Sequence, residues 1–419
     1  MHRKEVFPNG LTILTEEMPN LRSVTLGVWL KQGSRHEQPE ENGVSHFIEH
    51  LLFKGTERRT SAEIARTIDA IGGQCDAFTS KEYTCFYARV LDERLPVAID
   101  LLSDIVLHPR FDAENIEKER KVIYEEIKMV EDSPDELVYD LFTESFWKAH
   151  PLGRPIQGTV ESVAALGQDR LLKFFKEAYN PGSVVIAAAG NLQHERFMDQ
   201  IHKAFAGMPA NGGGRPIGPP DAHGGLATRE KKDLEQLHLC LGVEAYKQGH
   251  EDRYVGYLLN TMLGGTMSSR LFQRIREERG LAYTVFSSIN SFIDTGYLMV
   301  YAATRPGGGD DVIQHVCAEL SRLKEIDIED AELRAAKDHL KGSLMLGLES
   351  SSSRMSNLAR QDIYYDRQFS LDEIAIGIDL VTRDDVQRLA RTMLVSDRCT
   401  VAVLGNLSQL NISPDRIAF

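Results

Sequence analysis

The strongest constraint on the fold is an echo between the two halves of the chain. Val184-Val185-Ile186-Ala187-Ala188-Ala189 runs into Gly190-Asn191-Leu192, and Val401-Ala402-Val403-Leu404 runs into Gly405-Asn406-Leu407. An offset of 215 carries Gly190 onto Gly405, and it pairs Asp169 with Asp384, Leu171 with Val386 and Phe174 with Leu389. Those residues lie on helical stretches that lead into the repeated strand. One short strand is easily echoed by chance, whereas a single offset spanning a helix and a strand points to duplication. Between the halves, Asn211-Gly212-Gly213-Gly214-Arg215-Pro216-Ile217-Gly218-Pro219-Pro220 can form neither a helix nor a central strand, and reads as a linker. The expected architecture is α+β. Two homologous domains, 1–209 and 226–419, each carry a mixed or antiparallel β-sheet flanked by helices, and a Gly/Pro linker at 210–225 joins them.

Within the first half, Asn9-Gly10 marks a hairpin turn. Val24, Leu26, Val28 and Leu30 alternate as in a half-buried strand. Thr60-Ser61-Ala62-Glu63 is a capping box that opens a helix ending at Gly72-Gly73. Ala77 to Val90 reads as strands, and long helical segments follow from about Ala113 to Trp147.

Charge and cysteine use exclude several classes. The formal net charge is −14, with no basic stripe for phosphate contacts, so a nucleic-acid partner is not expected. No apolar run approaches the ~18–20 residues of a membrane helix. The N-terminus has no apolar stretch behind its positive charges, as a signal peptide would. Five widely spaced cysteines without a CxxC pair fit reduced thiols in a cytoplasmic protein.

The chemistry concentrates in Gly43-Val44-Ser45-His46-Phe47-Ile48-Glu49-His50-Leu51-Leu52-Phe53. At about 100° per residue, Val44, Phe47, Ile48 and Leu51 share one helix face, and His46, Glu49 and His50 share the other. Histidines at i and i+4 can reach one ion, with a carboxylate beside them free to handle a proton. This is the HxxEH pattern, the reverse of HExxH. Taken alone, it also fits a solvated polar face. In the stretch Glu114–Val130, Ile116, Ile123, Ile127 and Val130 form an apolar stripe, and Glu119 and Glu126 lie side by side at its edge. A carboxylate held there without a cation is costly. A bound metal would remove the cost, and so would an arginine or a snorkelling side chain.

With Glu126 lying 76 positions beyond His50, this constellation resembles the inverzincins of the insulinase/pitrilysin type. Glu119-Arg120-Lys121-Val122-Ile123-Tyr124-Glu125-Glu126 is similar to the matching stretch of their processing-peptidase branch, including its mitochondrial β-subunit. The resemblance implies a zinc-dependent endopeptidase. His46, His50 and Glu126 would bind Zn²⁺, Glu49 would draw a proton from the zinc-bound water, and Glu119 would steady the ligands. Arg276 and Tyr283, seven apart, match a pair that reaches the substrate backbone and the tetrahedral intermediate. Without the family they would read only as the end of an amphipathic helix. Asp76-Ala77-Phe78-Thr79 matches the edge strand on which an extended peptide lies, with Asp76 in place of the usual asparagine. Glu136 and Asp140 match carboxylates that receive a substrate arginine near the cut, and on residues alone they are a solvated acidic face.

Chains of this length in the family supply half of a clamshell that encloses unfolded peptides. A homodimer is the simplest closure, and a heterodimer is the other. The rival expectation is a catalytically silent scaffold or partner subunit, which typically loses metal or base residues. Half of the acidic excess falls between Asp112 and Asp140, with eleven acidic and four basic side chains, and that points toward a cationic ligand.

Overall fold

A computed structural model describes residues 2–209, 217–325, 328–412 and 417–419. The heart of the expected linker, 210–216, lies outside the described residues. The rest of the chain packs as two compact units.

The first unit is built on a six-stranded sheet of β1 (His2–Val6), β2 (Thr12–Glu17), β3 (Ser23–Leu30), β4 (Gln74–Thr79), β5 (Thr84–Leu91) and β6 (Val184–Gly190), in the order β1-β2-β6-β3-β5-β4. The expected hairpin forms between β1 and β2, with Gly10 at φ 92° in the turn. Only the β2–β6 pairing is parallel. The second unit carries β7 (Gly225–Glu230), β8 (Leu237–Ala245), β9 (Ala282–Ser291), β10 (Gly296–Thr304) and β11 (Thr400–Gly405), in the order β7-β11-β8-β10-β9.

The second order repeats the first. Replacing β7, β11, β8, β10 and β9 by β2, β6, β3, β5 and β4 reproduces the first sheet apart from its outer strand β1, and β7–β11 is parallel just as β2–β6 is. The 215 offset maps the helix Gln168–Ala178 onto Arg383–Met393. Leu171 and Phe174 are buried on one, and Val386 and Leu389 on the other. Gly190 and Gly405, which close the repeated strands, take φ of 138° and 139°. That region is costly for any residue with a Cβ, so both copies kept glycine for the same backbone reason.

In each unit, helices from the same half cover one sheet face. Over the first sheet, Leu51 and Leu52 (Val44–Leu52), Ile64 (Ser61–Ile71), Leu101 and Leu102 (Leu95–Leu107) and Phe197 (His194–Phe205) meet Val24, Leu26 and Val28 in one buried cluster. The second face departs from the sequence expectation. β3 is buried on both sides, not one. The helix Ser351–Tyr365, from the other half of the sequence, lays Met355, Leu358 and Ala359 against Leu14, Trp29, Cys85, Val185 and Ala187. Trp29 Nε1 donates to Met355 Sδ at 3.1 Å, and Thr25 Oγ1 lies 2.8 Å from Ser351 Oγ.

The second unit does the same in reverse. The helix Pro134–Phe146 contributes Leu137, Val138, Phe142 and Phe146, which pack with Cys240, Tyr297, Met299, Ala402 and Leu404. The units are therefore 2–128, 154–209, 217 and 347–368 on one side, with 129–153, 218–346 and 369–419 on the other, less the undescribed residues. The linear boundary near 210 separates the repeats in sequence but not the packed units. The reason is that each sheet needs apolar cover on two faces, and each half supplies only one layer to its own sheet.

Candidate metal centre

The motif helix Val44–Leu52 lies within the first unit. Val44, Phe47, Ile48, Leu51 and Leu52 are buried, and His46, Glu49 and His50 sit half-buried on the other face. Gly43 begins the helix at φ 93°, where a Cβ would stand 2.7 Å from the carbonyl oxygen of Gln157. Only glycine meets both conditions.

The glutamate helix, Ala113–Glu131, brings Glu126 to the two histidines. The candidate ligand atoms of His46, His50 and Glu126 all lie within 4.8 Å of one another. Glu126 Oε2 is 3.6 Å from His46 Nε2 and 3.5 Å from His50 Nε2. A tetrahedral ion with metal–ligand distances of about 2.0–2.1 Å holds its ligand atoms about 3.3–3.4 Å apart. The two distances from Glu126 are therefore close to those of such an ion. Burial, and then the neighbouring His50, push the His46 imidazole down to about 4. At neutral pH it is uncharged, the form that ligates a metal.

Glu119, one of the two carboxylates at the stripe's edge, is 5% exposed. Its Oε2 lies 3.3 Å from His50 Nδ1 and its Oε1 lies 3.0 Å from Lys54 Nζ. Sequence reasoning anticipated a cation for this buried carboxylate but did not find Lys54, which follows the helix end and has no periodic relation to the glutamates. Glu49 is also held, because Thr79 Oγ1 donates to its Oε2. Burial, with Asp76 and Glu126 adding to it, raises the Glu49 carboxyl above its ordinary value, against the pull of Thr79 and His50. A carboxylate with raised proton affinity at this position suits proton transfer.

Thr79 ends β4, which is the outermost strand of its sheet as expected. Cys75, Ala77 and Thr79 are half-buried, and Gln74, Asp76 and Phe78 alternate with them as exposed residues. Asp76 Oδ1 accepts the Ala77 N–H at 2.8 Å, so its side chain is engaged with the strand's own backbone. Phe78 meets Trp29 edge-on at 5.7 Å.

The remaining expected site residues belong to the second unit. Arg276 lies on a π-helical turn, Phe272–Glu277, with its guanidinium 4.7 Å over the Tyr283 ring and 4.7 Å over the Phe272 ring. Tyr283 is 74% exposed on β9, the outer strand of the second sheet. The structure thus pairs the cation and the phenol. Glu136 and Asp140 lie one turn apart on Pro134–Phe146, with Glu136 exposed and Asp140 half-buried.

A helix bearing His-x-x-Glu-His, met by a glutamate from a second helix, is the arrangement of the inverted zinc-peptidase motif. The model for Insulinase (Peptidase family M16) matches residues 12–160, and that for the Peptidase M16 inactive domain matches 165–340. The chain belongs to the M16 insulinase family of peptidases. It is 43% identical over 397 residues to an uncharacterised zinc protease of Bacillus subtilis, YmxG, covering 95% of this chain and 97% of that one. An uncharacterised zinc protease of Streptomyces coelicolor is 41% identical, covering 98% and 91%. A protease from Helicobacter pylori shares the fold at a TM-score of 0.90 and 22% identity, over 97% of this chain and 99% of that one. The name of the second matched domain agrees with the absence of HxxEH from the second half of the sequence. Among the described residues, no helix is long and apolar enough to cross a membrane.

Proposed function

We propose that the chain is a zinc-dependent endopeptidase that hydrolyses unfolded peptides. The observation that carries this reading is the convergence of His46, His50 and Glu126, with Glu126 3.5–3.6 Å from each histidine and Glu49 on the same helix face. When bound, the zinc would polarise the scissile carbonyl and make a water nucleophilic at neutral pH. His46, His50 and Glu126 would hold it. The Glu49 carboxylate takes the proton of the attacking water on an oxygen and returns it to the leaving amine, so its own charge is restored after each cycle. Its raised proton affinity favours the first transfer, and the Thr79 hydroxyl keeps one oxygen in register. Glu119 accepts from His50 Nδ1, which leaves Nε2 as the lone-pair nitrogen that faces Glu126.

The peptide would add to β4 as an extended strand along Asp76, Ala77 and Phe78. Among the described residues that strand pairs only with β5, so one edge of its backbone is open to a partner. Arg276 and Tyr283 would supply a cation and a phenol to the developing oxyanion. Glu136 and Asp140 would favour a basic residue near the cut. Loss of metal or base residues is the mark of a silent subunit, and none of His46, Glu49, His50 or Glu126 is replaced here. We further read the chain as one of two identical halves of a peptide chamber in a bacterial cytoplasm. Five free cysteines suit that compartment.

Metal analysis joined to peptide-library cleavage tests the reading. The purified chain should hold about one zinc, and Glu49→Gln should keep it while cleavage falls about 10²–10⁴-fold. A folded, metal-free chain that still cleaves would overturn the assignment, as would normal turnover by Glu49→Gln.

A further inference from the structure

The two motif histidines are held unequally. His50 Nδ1 faces Glu119, so its ring is steered from behind. His46 Nδ1 is buried and has no hydrogen-bond partner among the described residues. Its ring meets His50 edge-on at 4.6 Å but has no hydrogen-bonded support behind it, so its placement leans on the backbone that carries it, and His46 is only the third residue of its helix.

That first turn is held from outside the helix. Gly43 offers no side-chain cap. Glu37, which precedes the helix and is 1% exposed, fills the position. Its Oε2 accepts the Gly43 N–H at 2.8 Å and the Asn42 Nδ2 at 3.3 Å, and its Oε1 accepts the Ser45 N–H at 2.9 Å. Both oxygens are thus spent on amides that no residue of the helix could satisfy. Burial raises this carboxyl to about 7 against the pull of those amides, and its charged form meets the positive end of the helix dipole. The segment bearing Glu37 is itself pinned. Ser34 N–H donates to Ser80 O at 3.1 Å, Arg35 N–H donates to Lys81 O at 2.7 Å, and the Arg35 guanidinium bonds the buried Glu82 at 2.7 Å.

We propose that Glu37 is a positioning residue of the metal centre: by bridging the Gly43 and Ser45 amides, it fixes the first turn of the motif helix and thereby the His46 imidazole. The backbone does for His46 what Glu119 does for His50 through the ring. This inference rests on the zinc-peptidase reading above.

Glu37→Gln tests it, because an amide keeps one acceptor and turns an NH2 toward the second backbone N–H. Zinc dissociation is measured by competition with a chromogenic chelator, alongside kcat, KM and the melting temperature of the metal-free chain. Zinc affinity should fall about 10–100-fold, as when other groups that support a metal ligand are removed. The kcat should fall with it, and KM should stay within about threefold. Thr60→Ala removes the cap of the neighbouring helix Ser61–Ile71. It should lower the melting temperature and leave zinc affinity and kcat unchanged, which separates positioning from general stability. If Glu37→Gln fails to fold, Glu37→Asp keeps the carboxyl group but draws both oxygens back, and it should show a smaller loss of affinity. Unchanged zinc affinity in a folded Glu37 variant overturns the proposal, and so does an equal loss in Thr60→Ala. A wild-type chain that binds no zinc is a different failure, because it refutes the peptidase reading together with this inference.

Discussion

Glu119→Gln probes the support of the second histidine. The carboxylate spends one oxygen on His50 Nδ1 at 3.3 Å and the other on Lys54 Nζ at 3.0 Å. Both partners are donors in the metal-binding state, and glutamine has one oxygen for two of them. If the amide oxygen faces Lys54, its NH2 meets His50 Nδ1 and favours the tautomer with hydrogen on Nε2, the nitrogen that faces Glu126. If the oxygen faces His50, the NH2 confronts an ammonium. Either choice should weaken zinc binding about 10–100-fold, or about 1.4–2.7 kcal/mol. Adding Lys54→Met removes the competing donor and frees the oxygen for His50. The double variant should therefore bind zinc more tightly than Glu119→Gln alone, a positive coupling visible in a double-mutant cycle. Chelator competition at pH 7.5 reads all four proteins. Additive effects would refute the shared-oxygen account, and wild-type affinity in Glu119→Gln would remove Glu119 from the support of the centre.

Three further outcomes follow from the same structure. Met355→Ala opens a cavity beneath the covering helix and removes the acceptor of Trp29 Nε1. Urea unfolding should show a loss of about 2–5 kcal/mol, and a loss below about 1 would mean that this helix contributes little cover. Burial, against the Gly33 backbone contact and with Arg35 adding to it, holds His36 down to about 4, whereas an unfolded histidine titrates near 6.5. The unfolded chain therefore binds the extra proton at this group first, so the stability His36 contributes should fall as pH drops from about 6.5 toward 4. The contribution is at most about 3 kcal/mol, and His36→Gln should flatten the slope for the metal-free chain. An unchanged slope in His36→Gln would contradict the burial argument. Arg276→Ala should lower kcat about 10²–10³-fold with an unchanged melting temperature if the pair meets the oxyanion, and unchanged kinetics would exclude it.

What the sequence disclosed depended on whether a feature had a period. HxxEH is legible because i, i+3 and i+4 share a helix face. The duplication is legible because Gly190 and Gly405 meet the same φ requirement and the flanking helices keep the same buried positions. Glu37 and Lys54 carry no such mark. Each acts on the centre from outside the regular part of the motif helix, through a contact that tertiary packing creates. β3 misled for a related reason. Val24, Leu26, Val28 and Leu30 alternate with Ser23, Thr25, Gly27 and Trp29, which suggests one wet face. That face is dry because Thr25 bonds to Ser351 and Gly27 makes room for Met355, whose Sδ would stand 2.6 Å from a Cβ there.

The covering helices bear on what the duplication means. An offset of 215 carries Pro134–Phe146 onto 349–361, largely within Ser351–Tyr365, so the two helices that cover the sheets are themselves copies of one another. Each has left its own half and covers the opposite sheet, and each finds a glycine on the strand beneath it. Gly27 lies under Met355, and Gly242 lies under Phe142, whose Cζ would stand 2.4 Å from a Cβ. A half cut at the linker would expose Leu14, Trp29, Val185 and Ala187 in one sheet, or Cys240, Met299, Ala402 and Leu404 in the other. An uncovered apolar sheet face of that kind is unstable in water. The glutamate helix ends at Glu131 and the exchanged helix begins at Pro134, so the segment that carries Glu126 to the metal centre is continuous with the one that completes the second sheet. All three candidate ligands come from the first half, yet the unit that holds them is completed by Ser351–Tyr365 from the second, so the candidate metal centre requires both halves.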